Sequence, residues 1–162
     1  MEQREATARM LPHSLEAEKS VLGGMLISRE AAELVCEALK PEDFYLPAHQ
    51  DIYTAMLQLY NRGNAVDSVT LIDALEREGK LNAVGSVSYI TELSLFVPSA
   101  ANVSHYIRIV EDRSVMRQLI RAGTDIVQDA QTGERPVGDM LDDAERRIFN
   151  ISMKKSEDTL VH

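Results

Sequence analysis

The side chains that could do chemistry are few and far apart. The 162-residue sequence holds four histidines, His13, His49, His105 and His162, and one cysteine, Cys36. A general base needs a nucleophile on one side and an orienting group on the other. The scattered histidines supply no such set, and a lone histidine on a helix reads as a surface or hydrogen-bonded residue. The adjacent carboxylates Glu42-Asp43 and Asp142-Asp143 fit solvated faces and first helical turns better than acid–base catalysis. Cys36 alone permits neither a disulfide framework nor a zinc site, and it reads as a buried, inert thiol. The step Gly79-Lys80 lacks the upstream glycine of a phosphate-binding loop and is followed by Leu81 instead of Ser or Thr. No Gly-x-Ser-x-Gly and no His-Glu-x-x-His occurs. The residues therefore point to a helical binding or assembly module, and an enzyme would have to reveal itself by turnover that depends on one of these histidines or carboxylates.

Composition narrows the class further. With 44% hydrophobic residues but only 5% aromatics and no Trp, the core is expected to be built from Leu, Ile, Val, Ala and Met. A formal net charge of -9 argues against gripping nucleic acid directly, since phosphate contacts need Lys and Arg. The arginines Arg108, Arg113, Arg117 and Arg121 recur at spacings of four or five and could form a basic stripe. Asp112 and Asp125 lie close by, so a salt-bridged, solvated face is the expected reading. No apolar run suits a membrane span, and the charged N-terminus lacks a signal-peptide core. A cytoplasmic protein is expected.

The periodicity predicts an all-α fold: a compact head of about five to six helices followed by an antiparallel helical hairpin. Residues 1–13 read as a mobile segment. Over 14–100, Ser14, Ser28, Pro47, Asp67 or Ser68, and Ser86 each suit a helix start. The first helix carries Leu15, Leu22, Met25 and Leu26 as its buried stripe, and Gly23-Gly24 within it implies close approach of another helix. Residues 101–151 form the hairpin, an appendage of the same domain. Its first arm, to about Gln131, would be ~45 Å long. Residues 152–162, polar and charged, read as the start of a linker, which suggests a chain cut from something longer.

The long arm changes face. Val103, Tyr106, Ile107 and Val110 make one stripe, then Glu111-Asp112-Arg113-Ser114 intervene. A second stripe, Met116, Leu119, Ile120, Ile126, Val127 and Ala130, lies roughly half a turn away at ~100° per residue. The first stripe should pack on the head. The second should pack on Val137, Leu141, Ala144 and Ile148. Two helices cannot bury both sides of their arms, so Ile120, Ile126 and Phe149 are candidates for a surface shared with another chain.

Several ordered motifs then resemble one family. Leu15-Glu16-Ala17-Glu18 with Ser20-Val21-Leu22-Gly23 is similar to the opening of the N-terminal domain of the bacterial replicative DNA helicase, the DnaB family. So are Lys40-Pro41-Glu42-Asp43-Phe44-Tyr45 with Ala48-His49-Gln50, Arg62-Gly63 with Val66-Asp67 and Val69-Thr70, and Val97-Pro98-Ser99-Ala100-Ala101-Asn102-Val103. The likeness continues through Tyr106, Ile109-Val110 and Asp143-Ala144-Glu145 to Ile148-Phe149, covering Leu11 to about Ile151. The resemblance implies hairpins that pair between subunits, a homodimer within a hexamer whose paired domains form a collar, and a surface that recruits the DnaG primase through its C-terminal helical domain. It places the ATP- and Mg-dependent motor beyond the linker, so this fragment is expected to need no cofactor, to catalyse nothing itself, and to bind DNA little or not at all. Candidate partner contacts, for primase or for another subunit, are Ile120, Ile126 and Phe149 on the hairpin, Tyr89 on the short helix before it, and Glu16 as a rim charge. The rival is a helical nucleic-acid-binding or regulatory module.

Overall fold

The computed structural model describes residues 10–160, with side chains through Lys154. The expected mobile segment 1–13 falls mostly on residues outside that range, as do the last two residues of the tail. Seven α-helices and one 3-10 turn are present, and no strand occurs among the described residues. They are α1 Leu15–Ile27, α2 Arg29–Ala38, the 3-10 turn Pro41–Asp43, α3 Pro47–Asn61, α4 Ser68–Arg77, α5 Ser86–Phe96, α6 Val103–Thr132 and α7 Val137–Leu160. The protein is all-α, and the chain divides into two compact units whose boundary falls inside α6, between Ser114 and Val115.

The head unit, His13–Ser114, starts four of its helices with local chemistry written in the sequence, whereas α5 follows Gly85 at φ +114 with no side-chain cap, so Ser86 is its first residue and not its cap. Ser14 Oγ accepts the Ala17 N–H at 3.1 Å. Ser28 Oγ accepts the Ala31 N–H at 3.2 Å, so one residue ends α1 and begins α2. Pro47 occupies the first turn of α3, where its missing N–H costs nothing. Asp67 and Thr70 cap α4 reciprocally, Asp67 Oδ1 accepting the Thr70 N–H at 2.9 Å and Thr70 Oγ1 accepting the Asp67 N–H at 3.0 Å.

Helix α1 is the centre of the head. It packs on α2, α3 and α5, and every residue from Ala17 to Leu26 except Lys19 is buried. A helix covered on nearly all sides needs no single apolar stripe. The stripe expected to begin at Leu15 therefore fails there: Leu15 is exposed, and burial along α1 begins only at Ala17. Gly23 earns its place by close approach, since a Cβ built on it would collide with the Leu93 carbonyl of α5. Phe44 and Tyr53 pack with their rings tilted, 5.0 Å between centres, and the Tyr53 hydroxyl is placed to donate to the carbonyls of Val35 in α2 and of Leu39 just past its end, at 3.1 and 2.8 Å. Val103, Ile107 and Val110, the first stripe of the long arm, are buried in this core. Ser114 Oγ donates to Asp43 Oδ1 at 2.8 Å, so the end of the polar interruption is tied to the 3-10 turn.

The second unit holds the rest of α6 and α7, with residues 10–12. Arg117 is buried and donates from Nη1 to the Pro12 carbonyl at 2.8 Å. The turn between the helices uses Gly133 at φ +61, a conformation glycine adopts without steric cost, and Pro136 precedes α7. The second arm does not stop near Ile151 but runs to Leu160. The stretch from Ser152 is polar yet contains neither Gly nor Pro. Polarity alone does not break a helix, and the expected helix end was misplaced for that reason.

Candidate partner-binding surfaces

The hairpin is aligned by ion pairs at its closed end. Arg135, in the turn, bonds both Asp129 on α6 and, at 2.6 Å, Asp143 on α7. One turn further from the loop, Arg147 Nη1 donates to Asp125 Oδ2 at 2.9 Å. Positions therefore rise along one arm as they fall along the other, which is the antiparallel register. The Arg135 hydrogen bond holds the Asp129 carboxyl below its ordinary range, against a smaller opposing effect of burial. A carboxylate whose folded pKa is lowered adds stability above its unfolded pKa and loses it as pH falls through the folded value. Carbon-13 titration of Asp129 should give a midpoint below that of a free aspartate, and Arg135→Ala should return it toward the ordinary range.

Between the arms lies a groove of about 300 Å³ lined by Ile126, Ala130, Val137, Met140, Leu141 and Ala144 among others. The second stripe of α6 thus meets its expected partners only in part. Met116, Leu119 and Val127 remain exposed on α6, as do Val137 and Ile148 on α7. Ile120 keeps 43% of its surface, Leu141 58% and Phe149 62%. Large apolar side chains this open on both arms are more than the two helices bury between themselves.

The head contains a buried polar array. Glu18 on α1 is 1% exposed and His49 on α3 is 0%. Glu18 Oε1 lies 2.8 Å from His49 Nδ1, and His49 Nε2 lies 2.6 Å from the Tyr89 Oη on α5. Glu18 Oε2 also accepts the Tyr45 N–H at 2.8 Å. Every buried side-chain polar atom among the described residues has a partner, as burial requires. Beyond Tyr89, Lys19 Nζ sits 3.2 Å from Glu92 Oε2 and over the rings of Tyr89 and Phe96, at 5.8 and 5.4 Å from their centres. A carboxylate, an imidazole and a hydroxyl in line can activate a nucleophile with the imidazole as general base, but a phenol whose surroundings hold its proton more tightly is a poor one. Burial, reinforced by Glu92 and Glu18, pushes Tyr89 up to about 12. The array is built to hold and orient the phenol.

The candidate residues thus fall in two places. Ile120, half-buried Ile126 and Phe149 belong to the hairpin unit, Ile126 alone lining the groove. Glu16 and Tyr89 belong to the head. Glu16 is exposed on the first turn of α1, and Tyr89 is half-buried, held by its hydroxyl to His49. Glu18 and His49 were passed over, one as a first-turn charge and the other as an isolated histidine. A signal existed. Glu18 heads the series Val21, Leu22, Met25, and His49 heads Ile52, Tyr53, Met56, both at helical spacings of three, four and seven. A polar residue on an apolar stripe must be buried with a partner. The arginine series is interrupted by the burial of Arg117, so it presents no continuous basic stripe. Among the described residues, no cluster of His, Cys, Asp and Glu could hold a metal, and no helix is long and apolar enough to cross a membrane.

Residues 10–112 match the model of the DnaB-like helicase N terminal domain. The chain is 46% identical over 147 residues to the replicative DNA helicase DnaB of Geobacillus stearothermophilus, covering 91% of this chain and 32% of that protein. It thus spans about a third of the length of that relative. A crystal structure of the N-terminal domain of DnaB helicase from Mycobacterium tuberculosis superposes with a TM-score of 0.83 at 43% identity, over 87% of this chain and 99% of that one. A DnaB-like replicative helicase, whose structure was described together with its interactions with primase, aligns with a TM-score of 0.68 at 27% identity, over 83% of this chain and 31% of that one. Family model, sequence identity and superposed fold agree on residues the geometry had already set apart as a head and a hairpin, and the chain belongs to the family of DnaB-like helicase N-terminal domains.

Proposed function

We propose that this domain assembles and recruits: its hairpin pairs with a second copy, the paired domains form a collar on a hexameric ring, and the collar binds the C-terminal helical domain of the DnaG primase. The parent protein would be an ATP-dependent, cytoplasmic DNA helicase that unwinds the duplex at the replication fork. Its ATP- and Mg-binding motor would lie outside these residues, and this domain would contact DNA little or not at all. The observation that carries the reading is the open apolar surface on both hairpin arms, from Met116 to Phe149. The relative whose structure was described with its interactions with primase supports the recruitment half.

The mechanism is positional. Primase held on the ring is kept at high effective concentration beside the exposed template strand. Partner affinities that differ between collar shapes would also bias the ring between them.

Ile126, half-buried at the groove, is the residue to change for recruitment. Mixed with the cognate primase C-terminal domain, the wild-type chain should co-sediment. Ile126→Glu should weaken the complex by about tenfold or more, the size expected of an interface anchor, with helix content unchanged. Undiminished binding would move primase docking off the hairpin groove.

A further inference from the structure

We propose that Glu18 and His49 are positioning residues for Tyr89, setting whether its hydroxyl offers a partner an acceptor or a donor. The inference rests on the reading of Tyr89 as a partner contact and adds what controls it.

The geometry leaves two arrangements. With His49 neutral, Nδ1–H donates to Glu18 Oε1 and the Nε2 lone pair takes the Tyr89 O–H. The phenol proton is then committed inward, and the outward lone pairs of Oη accept from an N–H donor such as a guanidinium, ammonium or amide. With His49 protonated, both ring N–H groups donate, to Glu18 and to Tyr89. The phenol oxygen now accepts from inside, and its own proton turns outward to a carbonyl or carboxylate. One proton enters the imidazole and none leaves the phenol. Tyr89 keeps its proton throughout, because burial holds it at about 12, far above the range in which an imidazole titrates.

Both ring nitrogens are within hydrogen-bond reach of fixed partners, at 2.8 and 2.6 Å. The second oxygen of Glu18 is occupied by the Tyr45 N–H, so the carboxylate cannot easily turn away. The groups bonded to His49 are Glu18 from α1 and Tyr89 from α5, and the Tyr45 N–H faces Glu18. Lys19 and Glu92, paired at 3.2 Å, lie beyond the Tyr89 ring. Tyr89 alone of the three array members is part-exposed, and it is therefore where a buried charge change reaches a partner.

Nitrogen-15 shifts of the His49 ring and the carbon-13 shift of Tyr89 Cζ, followed from about pH 5 to 9, read the array directly. The expected result is an Nδ1–H tautomer when neutral, with Tyr89 Cζ moving at the His49 midpoint. In Tyr89→Phe, which keeps the ring, that midpoint should shift while core amide resonances stay in place. A Tyr89 Cζ shift that is flat while His49 titrates, or a His49 that never titrates in this range, would overturn the proposal. Binding of the primase C-terminal domain provides the second arm. Its affinity should change by about fivefold across the His49 midpoint, the worth of one hydrogen bond, and Tyr89→Phe should abolish that dependence. Coupled shifts with binding indifferent to Tyr89→Phe would overturn the partner half of the proposal and retire Tyr89 as a primase contact, leaving the internal array as described.

Discussion

Phe149→Glu is expected to turn a self-associating protein into a monomer without loss of helix. Phe149 is 62% exposed on α7, and Ile148 and Met153 on the same helix are also exposed. No core contact is lost when such a side chain becomes charged, so the fold should survive. An interface closing over this face would instead bury an unpaired carboxylate, which costs several kcal/mol in an apolar setting. Aromatic anchors at the centre of an interface commonly carry about 2 kcal/mol or more by themselves. The combined loss corresponds to a weakening of association by about three orders of magnitude or more. Sedimentation velocity and far-ultraviolet circular dichroism on the same samples check both halves. Unaltered self-association would remove Phe149 from the interface.

Glu18→Ala is expected to be the most damaging single change in the head. It strips His49 Nδ1 of its carboxylate and the Tyr45 N–H of its acceptor in a region with almost no solvent access. Removing one member of a buried pair typically costs about 3–5 kcal/mol, because the other is left uncompensated. For a domain of this size that should lower the melting temperature by more than about 10 °C. The paired change Glu18→Leu with His49→Leu should recover much of the loss, since apolar residues of similar volume can replace a buried pair at little cost. Calorimetry of the wild type, single and double variants checks the cycle. A Glu18→Ala protein within about 1 kcal/mol of wild type would show that water or a neighbour satisfies His49 without the carboxylate.

Much of the fold was legible because its signals are local. Ser14, Ser28, Pro47 and Asp67 begin helices through contacts no more than three residues long, and such chemistry is written in the sequence. The change of face along α6 was also legible. Val103, Ile107 and Val110 are buried, while Met116, Leu119 and Ile120 are open, as a half-turn displacement of stripes requires. Two misplacements have physical causes. Leu15 looks like the head of a buried stripe but precedes the buried part of α1, which begins at Ala17. Ser152 onward looks like a linker because it is polar, yet α7 continues to Leu160 since nothing in it stops a helix.

The buried array was the hardest to read because it is non-local. Glu18, His49 and Tyr89 lie 31 and 40 residues apart along the chain. They meet only after α1, α3 and α5 pack together, so no short motif encodes them. What the sequence did contain was a carboxylate and an imidazole, each at the head of an apolar helical stripe. Those two anomalies, taken jointly, ask for a partner. The hairpin residues pose the opposite problem. Ile120 and Phe149 stand out in the sequence as apolar positions in excess of what two arms can bury, and both stay open among the described residues.

The central claim, that the hairpin surface exists to be covered by another copy, is tested most directly by sedimentation equilibrium of the wild-type chain alone over a wide concentration range. The account predicts a mass of at least twice the monomer that falls toward the monomer on dilution. A strict monomer at every concentration would contradict it.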